Sequence, residues 1–400
     1  MTNTSIRRSI PAMLLALTGV LATPAYAQTD DEFRDALIRA TESREAILAE
    51  LEPDDHGDAH DEDQPNEEWH DEDRHLIESL EDLQQLAPQN AALLYWAGFG
   101  LLDVDAGAIL DAVRGEEEAD LDLEEALELL DEASGGIELV LRASEMEDCD
   151  FGVEYQLGFN ALLVHLGELR GSARLIAADA RRIAMDDEID DDERAEMVAY
   201  RMAGLLGMAS HLRNDRLLIS SLVSVAIASL AESETRFHLE EGSLDHDEAR
   251  EYLAEIMDER FDGDDPFGVI SSIEMERDII QFWFPAALNT EDDLEEFIGQ
   301  SVQTGILALA DDRSKQLLGE QAARYYDEAI EIWFDDDAAE QLEVLSERVE
   351  DGDFGWLASI AGAALTRVYE ADQRGRDLLA SLHEDLRGEH EHEHEHEHDE

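Results

Sequence analysis

Positive charge is what this chain has least of. Its 400 residues include 28 Lys and Arg against 101 Asp and Glu, a formal charge of −73, and Lys315 is its sole lysine. A surface of this kind repels polyanions, so nucleic acid and anionic membrane faces are poor partners, whereas cations and basic proteins are attracted. Self-repulsion opposes the compact state until salt screens it, which predicts adaptation to a saline medium. Cysteine is nearly absent too. Cys149 stands alone, which excludes an intrachain disulfide and leaves apolar burial to hold the fold. No alternating Val/Ile/Thr pattern persists, so almost no sheet is expected. Catalytic signatures are missing as well: there is no His-Glu-x-x-His, no Gly-x-Ser-x-Gly, no glycine-rich phosphate loop and no Cys-x-x-Cys. A carboxylate pair of the glycosidase kind stays open, because 101 acids hide any two that matter.

Residues 1–27 have the form of a targeting signal. Arg7 and Arg8 precede an apolar run from Pro11 to Ala22, and Ala25-Tyr26-Ala27 supplies a small-residue cleavage site, so cleavage is expected after Ala27. Arg7-Arg8 leaves general and twin-arginine export both open. No later uncharged run reaches the roughly 18 residues of a membrane span. The expected product is therefore periplasmic or extracellular and soluble.

Helical periodicity runs through the rest. Residues 28–53 hold a helix with Phe33, Leu37, Ala40, Ile47 and Leu51 on one side, ending at Pro53. Residues 54–73 are an acidic, histidine-containing linker with Trp69 as its one large apolar residue. A helical region spans 74–240, opening with the stripe Leu76, Leu80 and Leu83. Its centre, from Cys149 to Ser233, reads as three helices. Leu162, Leu166, Leu169, Ala173, Ile176, Ala180 and Ile183 mark the first; Ala195, Val198, Met202, Leu205, Ala209 and Leu212 the second, capped by Asp190 to Asp192; Ile219, Leu222, Val223, Ala226, Ile227 and Leu230 the third. Three adjacent stripes must bury one another, which predicts an all-α packed centre. A second helical region covers 241–387. It comprises a helix around Tyr252 to Met257, a break at Asp262 to Pro266, an apolar helix from Phe267 to Phe284, another from Leu294 to Leu309, one from Ala338 to Val349, and a long last helix from near Phe354. Residues 388–400 form a disordered His/Glu tail.

Two resemblances add to this. Pro88-Gln89-Asn90-Ala91-Ala92-Leu93-Leu94-Tyr95-Trp96-Ala97-Gly98 resembles the first helix of a tetratricopeptide repeat, and Leu123 to Leu130 and Tyr326 to Trp333 resemble second helices of that unit. The likeness covers about a quarter of the chain and implies helical hairpins stacked into a superhelix whose concave face binds proteins. No 34-residue period is present, which makes an irregular solenoid or bundle the expected form. The segment Cys149 to Leu230, with Cys149-Asp150-Phe151-Gly152 and Ser210-His211-Leu212-Arg213-Asn214-Asp215, is also similar to exported bacterial all-helical proteins of unassigned function. That second likeness implies fold and export only.

Candidate chemistry is confined to a few places. His390, His392, His394, His396 and His398 alternate with glutamate, so in an extended chain several imidazoles fall on one side, suited to zinc, nickel or copper. A disordered tail grown by dipeptide repetition is the plainer reading. His56, His60, His70 and His75 stand among aspartates, where chance gives much the same. His165 and Glu168 share a helix side and His211 lies in the next connection, a conceivable acid/base pair that is more often a satisfied buried group. Cys149 is expected to be a buried thiol. Phe282 to Phe284 and Trp356 are expected to pack helices, and would mark a partner surface if exposed together. The reading reached is an all-α exported scaffold of helical hairpins binding an unidentified protein partner. Divalent-metal capture by the tail is the alternative, and an α/α-type hydrolase or lyase the third class.

Overall fold

A computed structural model of the chain describes residues 90–116, 119–155, 161–283 and 312–388, all within the unit Gln89–Glu400. The expected signal, N-terminal helix, acidic linker, the Leu76 to Leu83 stripe, the Leu294 to Leu309 helix and the histidine tail lie outside the described residues. Among the described residues there are eleven α-helices and no strand. In order they are α1 (Ala91–Phe99), α2 (Ala106–Arg114), α3 (Leu123–Ser144), α4 (Val164–Ala184), α5 (Asp191–Leu212), α6 (Leu218–Glu240), α7 (Asp247–Arg260), α8 (Val269–Asp278), α9 (Asp312–Ile332), α10 (Ala338–Glu350) and α11 (Gly355–Arg387).

The acid-rich composition supplies the helix starts. Asp105 accepts from the backbone amides of Gly107 and Ala108, each at 3.1 Å; Asp122 accepts from Glu125 at 3.0 Å, and Asp190 from Glu193 at 3.1 Å. A carboxylate there satisfies orphan amides and faces the positive end of the helix dipole.

Helix α5 lies at the centre, packed by α3, α4, α6 and α7. Its stripe of Ala195, Val198, Met202, Leu205, Ala209 and Leu212 is wholly buried. Around it, α1 lies on α3, α2 on α3 and α4, and α6 on α4, α5, α8 and α11; α9 contacts α8, α10 and α11. Helix α1 approaches α3 closely because both carry glycine at the crossing. A Cβ on Gly98 would sit 2.8 Å from Val140 Cγ2 and 3.1 Å from the Gly136 carbonyl, so the two helices would have to move apart to admit one.

Three details depart from the periodicity. Helix α4 begins at Val164, so Leu162 precedes it and is exposed. His211 belongs to the last turn of α5 rather than to a connection. The helix predicted from Phe267 starts instead after Gly268, which adopts a left-handed conformation (φ 67°), and gives way after Asp278 to a π-helical turn, Ile279–Trp283. By length and composition α6 is apolar enough to cross a bilayer, but most of it is enclosed by neighbouring helices.

Candidate functional site

Polar groups collect where the loop Asp148–Tyr155 meets α1, α4, α5 and the 3₁₀ turn Arg213–Asp215. His211 Nε2 lies 2.7 Å from the Met146 carbonyl and Nδ1 lies 3.0 Å from the Tyr95 hydroxyl. A carbonyl only accepts, so Nε2 carries the proton and Nδ1 accepts from Tyr95. Burial pushes the His211 pKa down to about 4, against a smaller upward pull from the Met146 bond, and pushes the Tyr95 phenol well up. Both groups are neutral at ordinary pH. Arg260 Nη1 and Nη2 donate to the Met146 and Glu145 carbonyls, each at 2.9 Å, so α7 and α5 together satisfy the end of α3.

Beside it, His165 Nε2 donates to Asp215 Oδ2 at 2.6 Å, and Ser220 Oγ donates to the same oxygen at 2.9 Å. The Tyr155 hydroxyl donates to the Asp215 carbonyl at 2.6 Å. Phe151 stacks on the His165 ring with centroids 4.2 Å apart, Tyr95 also stacks on Phe151 at 5.7 Å, and Trp96 meets it edge-on. The next residue, Arg216, is the one non-glycine among the described residues with positive φ, at 50°. A nucleophilic triad needs serine to donate to histidine and histidine to the acid. Here serine and histidine both address the acid, so neither activates the other, and His165, Asp215 and Ser220 are all buried. The arrangement ties helices and offers no reacting group to a substrate.

A second assembly joins α2, α4 and α6. Glu234, buried on α6, accepts from Arg114 Nη2 at 2.6 Å and from Arg181 Nε at 2.5 Å. The Arg181 guanidinium also lies 3.6 Å from the Phe237 ring centroid. One turn on, burial pushes His238 down to about 4.

Among the described residues no three His, Cys, Asp or Glu side chains are grouped to hold a metal ion. His390, His392, His394, His396 and His398, the site residues singled out for zinc or nickel, lie outside those residues, as do His56, His60, His70 and His75. The conceivable pair separates: His165 faces inward to Asp215, whereas Glu168 is exposed. Cys149 is buried, and burial raises its thiol pKa, so it is no thiolate. Phe282 is exposed, while Phe284 lies outside the described residues. Asp215 and Glu234, the pivots of both assemblies, carried no signal of their own among so many acids.

An open groove of about 620 Å³ runs between the π turn and α9, with Arg277, Gln281, Leu317, Glu320 and Arg324 in its lining. Arg277 is taken by Asp278 and Asp327, each at 3.0 Å. Glu320 and Asp327 are the carboxylates of that lining, and Asp327 is held by Arg277.

One stretch of surface differs from the rest. Helix α1 has no charged side chain; Leu93 and Trp96 stand 48% and 39% exposed on its outer side with Ala97 beside them, and Leu101, in the turn that follows, is 57% exposed. No protein-family model matches the chain, and no curated protein or solved structure matches it either.

Proposed function

We propose that this protein is an exported, salt-adapted helical scaffold that works by binding another protein. One observation carries the reading: His211, His165, Asp215 and Glu234, buried near the centre, are engaged in joining helices, while an apolar strip on α1 is left facing solvent. Contiguous apolar surface of this kind marks an interaction face more often than a chemical site. The tetratricopeptide-like fragments agree with it. In that reading α1 and α3, which pack together through glycine, play the part of a repeat's paired helices. The signal-like residues 1–27 and the charge of −73 support export into saline surroundings.

The test is affinity capture with the full chain from its native envelope or medium at high salt. A stoichiometric protein partner, displaced by untagged chain, is the expected result. Turnover of a polysaccharide or peptide substrate with no captured partner would replace the scaffold with an enzyme.

The tail supports a second reading, divalent-metal capture by His390, His392, His394, His396 and His398. Zinc titration of intact and tail-deleted chains at micromolar free metal decides it: equal uptake by both removes the tail from consideration.

A further inference from the structure

We infer that the outer face of α1 seats a cationic amphipathic helix of the partner protein; this rests on the scaffold reading and names the chemistry of its docking face. Leu93, Trp96 and Ala97 follow the three-and-four spacing of a single helix side, and Gly100 and Leu101, in the turn that ends α1, carry the strip on. The opposite side, with Ala91, Leu94, Tyr95 and Gly98, is already buried against the neighbouring helices. A helix apolar on every side belongs in an interior, and helical arrays end in a polar outward face to stay soluble. On α1 the outward face is apolar, and described residues cover it only in part, Phe151 and Phe99 meeting Trp96.

The choice of occupant comes from charge. At the N-terminal end of α1, Ala91 N donates to the Asp148 carbonyl at 2.8 Å and Asn90 Nδ2 donates to the Asp150 carbonyl at 2.9 Å, which brings the acidic turn Glu145 to Asp150 against the strip. Glu147, Asp148 and Asp150 are exposed there, while Glu145 is engaged by Tyr200 and lies near Arg142, and Arg260 is bound to the backbone of the turn. Beyond the C-terminal end lies Asp103, again exposed, with no lysine or arginine between Gly100 and Asp105; Asp105 itself caps α2. An apolar strip with carboxylates at both ends matches a helix whose leucine-like anchors recur every three to four residues and whose flanks carry lysine or arginine.

The experiment uses the full chain and three synthetic peptides of equal length: an amphipathic Leu/Lys helix, its Leu/Glu counterpart, and a Ser/Lys peptide with the charge of the first. Binding is read by anisotropy of labelled peptide in moderate salt, and the contact by hydroxyl-radical footprinting of Leu93 and Trp96. The Leu/Lys peptide should bind and protect both residues, and Leu93→Asp should weaken it at least tenfold, while Leu317→Asp, on α9, leaves it unchanged. Both substituted positions are exposed, so the fold is expected to survive; Leu101→Asp serves as a second variant. Equal binding of the Ser/Lys peptide, undiminished binding by both α1 variants, or protection of Trp96 before any peptide is added would overturn the inference. Capture of the same native partner by wild type and Leu93→Asp likewise sinks it while leaving the scaffold reading intact. Absence of any native partner, with the peptide still seated on α1, upholds the face and removes the scaffold reading.

Discussion

The two buried polar assemblies are built on opposite principles. Around His211 and His165 the bonds run between largely neutral groups and backbone carbonyls, with one carboxylate, Asp215, accepting from two side chains and burial holding the His211 imidazole uncharged. Around Glu234 the bonds run between full charges, two guanidiniums on one carboxylate. The first is vulnerable to acid through His211, and the second depends on keeping its charges matched. A chain with 28 cations among 101 acids places two of them on one interior glutamate, a use of scarce charge that surface pairs would not justify.

The comparison can be broken most severely at Glu234. Glu234→Gln leaves Arg114 and Arg181 facing a neutral amide in a mostly enclosed place, and should lower unfolding free energy by about 3 kcal/mol, read from urea midpoints at pH 7. Acid should act on the other assembly. The folded His211 pKa is about 4, against an ordinary value near 6.5. The unfolded chain therefore binds the extra proton first as pH falls. Stability present above about pH 6.5 is lost toward pH 4, by up to about 3 kcal/mol from this residue. His238, also near 4, adds in the same direction. Glu276, pushed up to about 7 by burial, has the opposite sign: it gains stability as pH falls through 7. Urea midpoints at pH 7 and 4.5 should accordingly show a fall for wild type, a smaller fall for His211→Gln, and a larger one for Glu276→Gln. The least effect belongs to the exposed pair of Arg348 with Glu328, at 2.5 Å. Arg348→Ala should change stability by no more than about 0.5 kcal/mol, and a loss comparable to that of Glu234→Gln would erase the distinction between interior and surface pairs.

Helix content was readable because apolar spacing sufficed for it. The stripe from Ala195 to Leu212 is buried at every named position, and the acidic cap at Asp190 to Asp192 stands where it was expected. Helix α6 was read less well. Its periodicity put Ala226 inward and passed over its serines, yet Ala226 is exposed and Ser220, Ser221 and Ser224 are buried. Those hydroxyls bond to Asp215, Ser272 and the Ala209 carbonyl, at 2.9, 2.9 and 2.6 Å, so a polar residue met its partners inside and hydropathy misplaced it. The pairing of His165 with Asp215, fifty residues on, has no local signature either. Glu168 was nearer in sequence and on the wrong side.

Arg260 closes the end of α3 across 114 residues, Tyr95 finds His211 across 116, and Arg114 finds Glu234 across 120. As the chain is made, its first described helices thus wait for segments that emerge far later before their loose ends are satisfied. Non-local closures of this kind form slowly. The ends of the front helices are thus among the last parts of the molecule to be tied down.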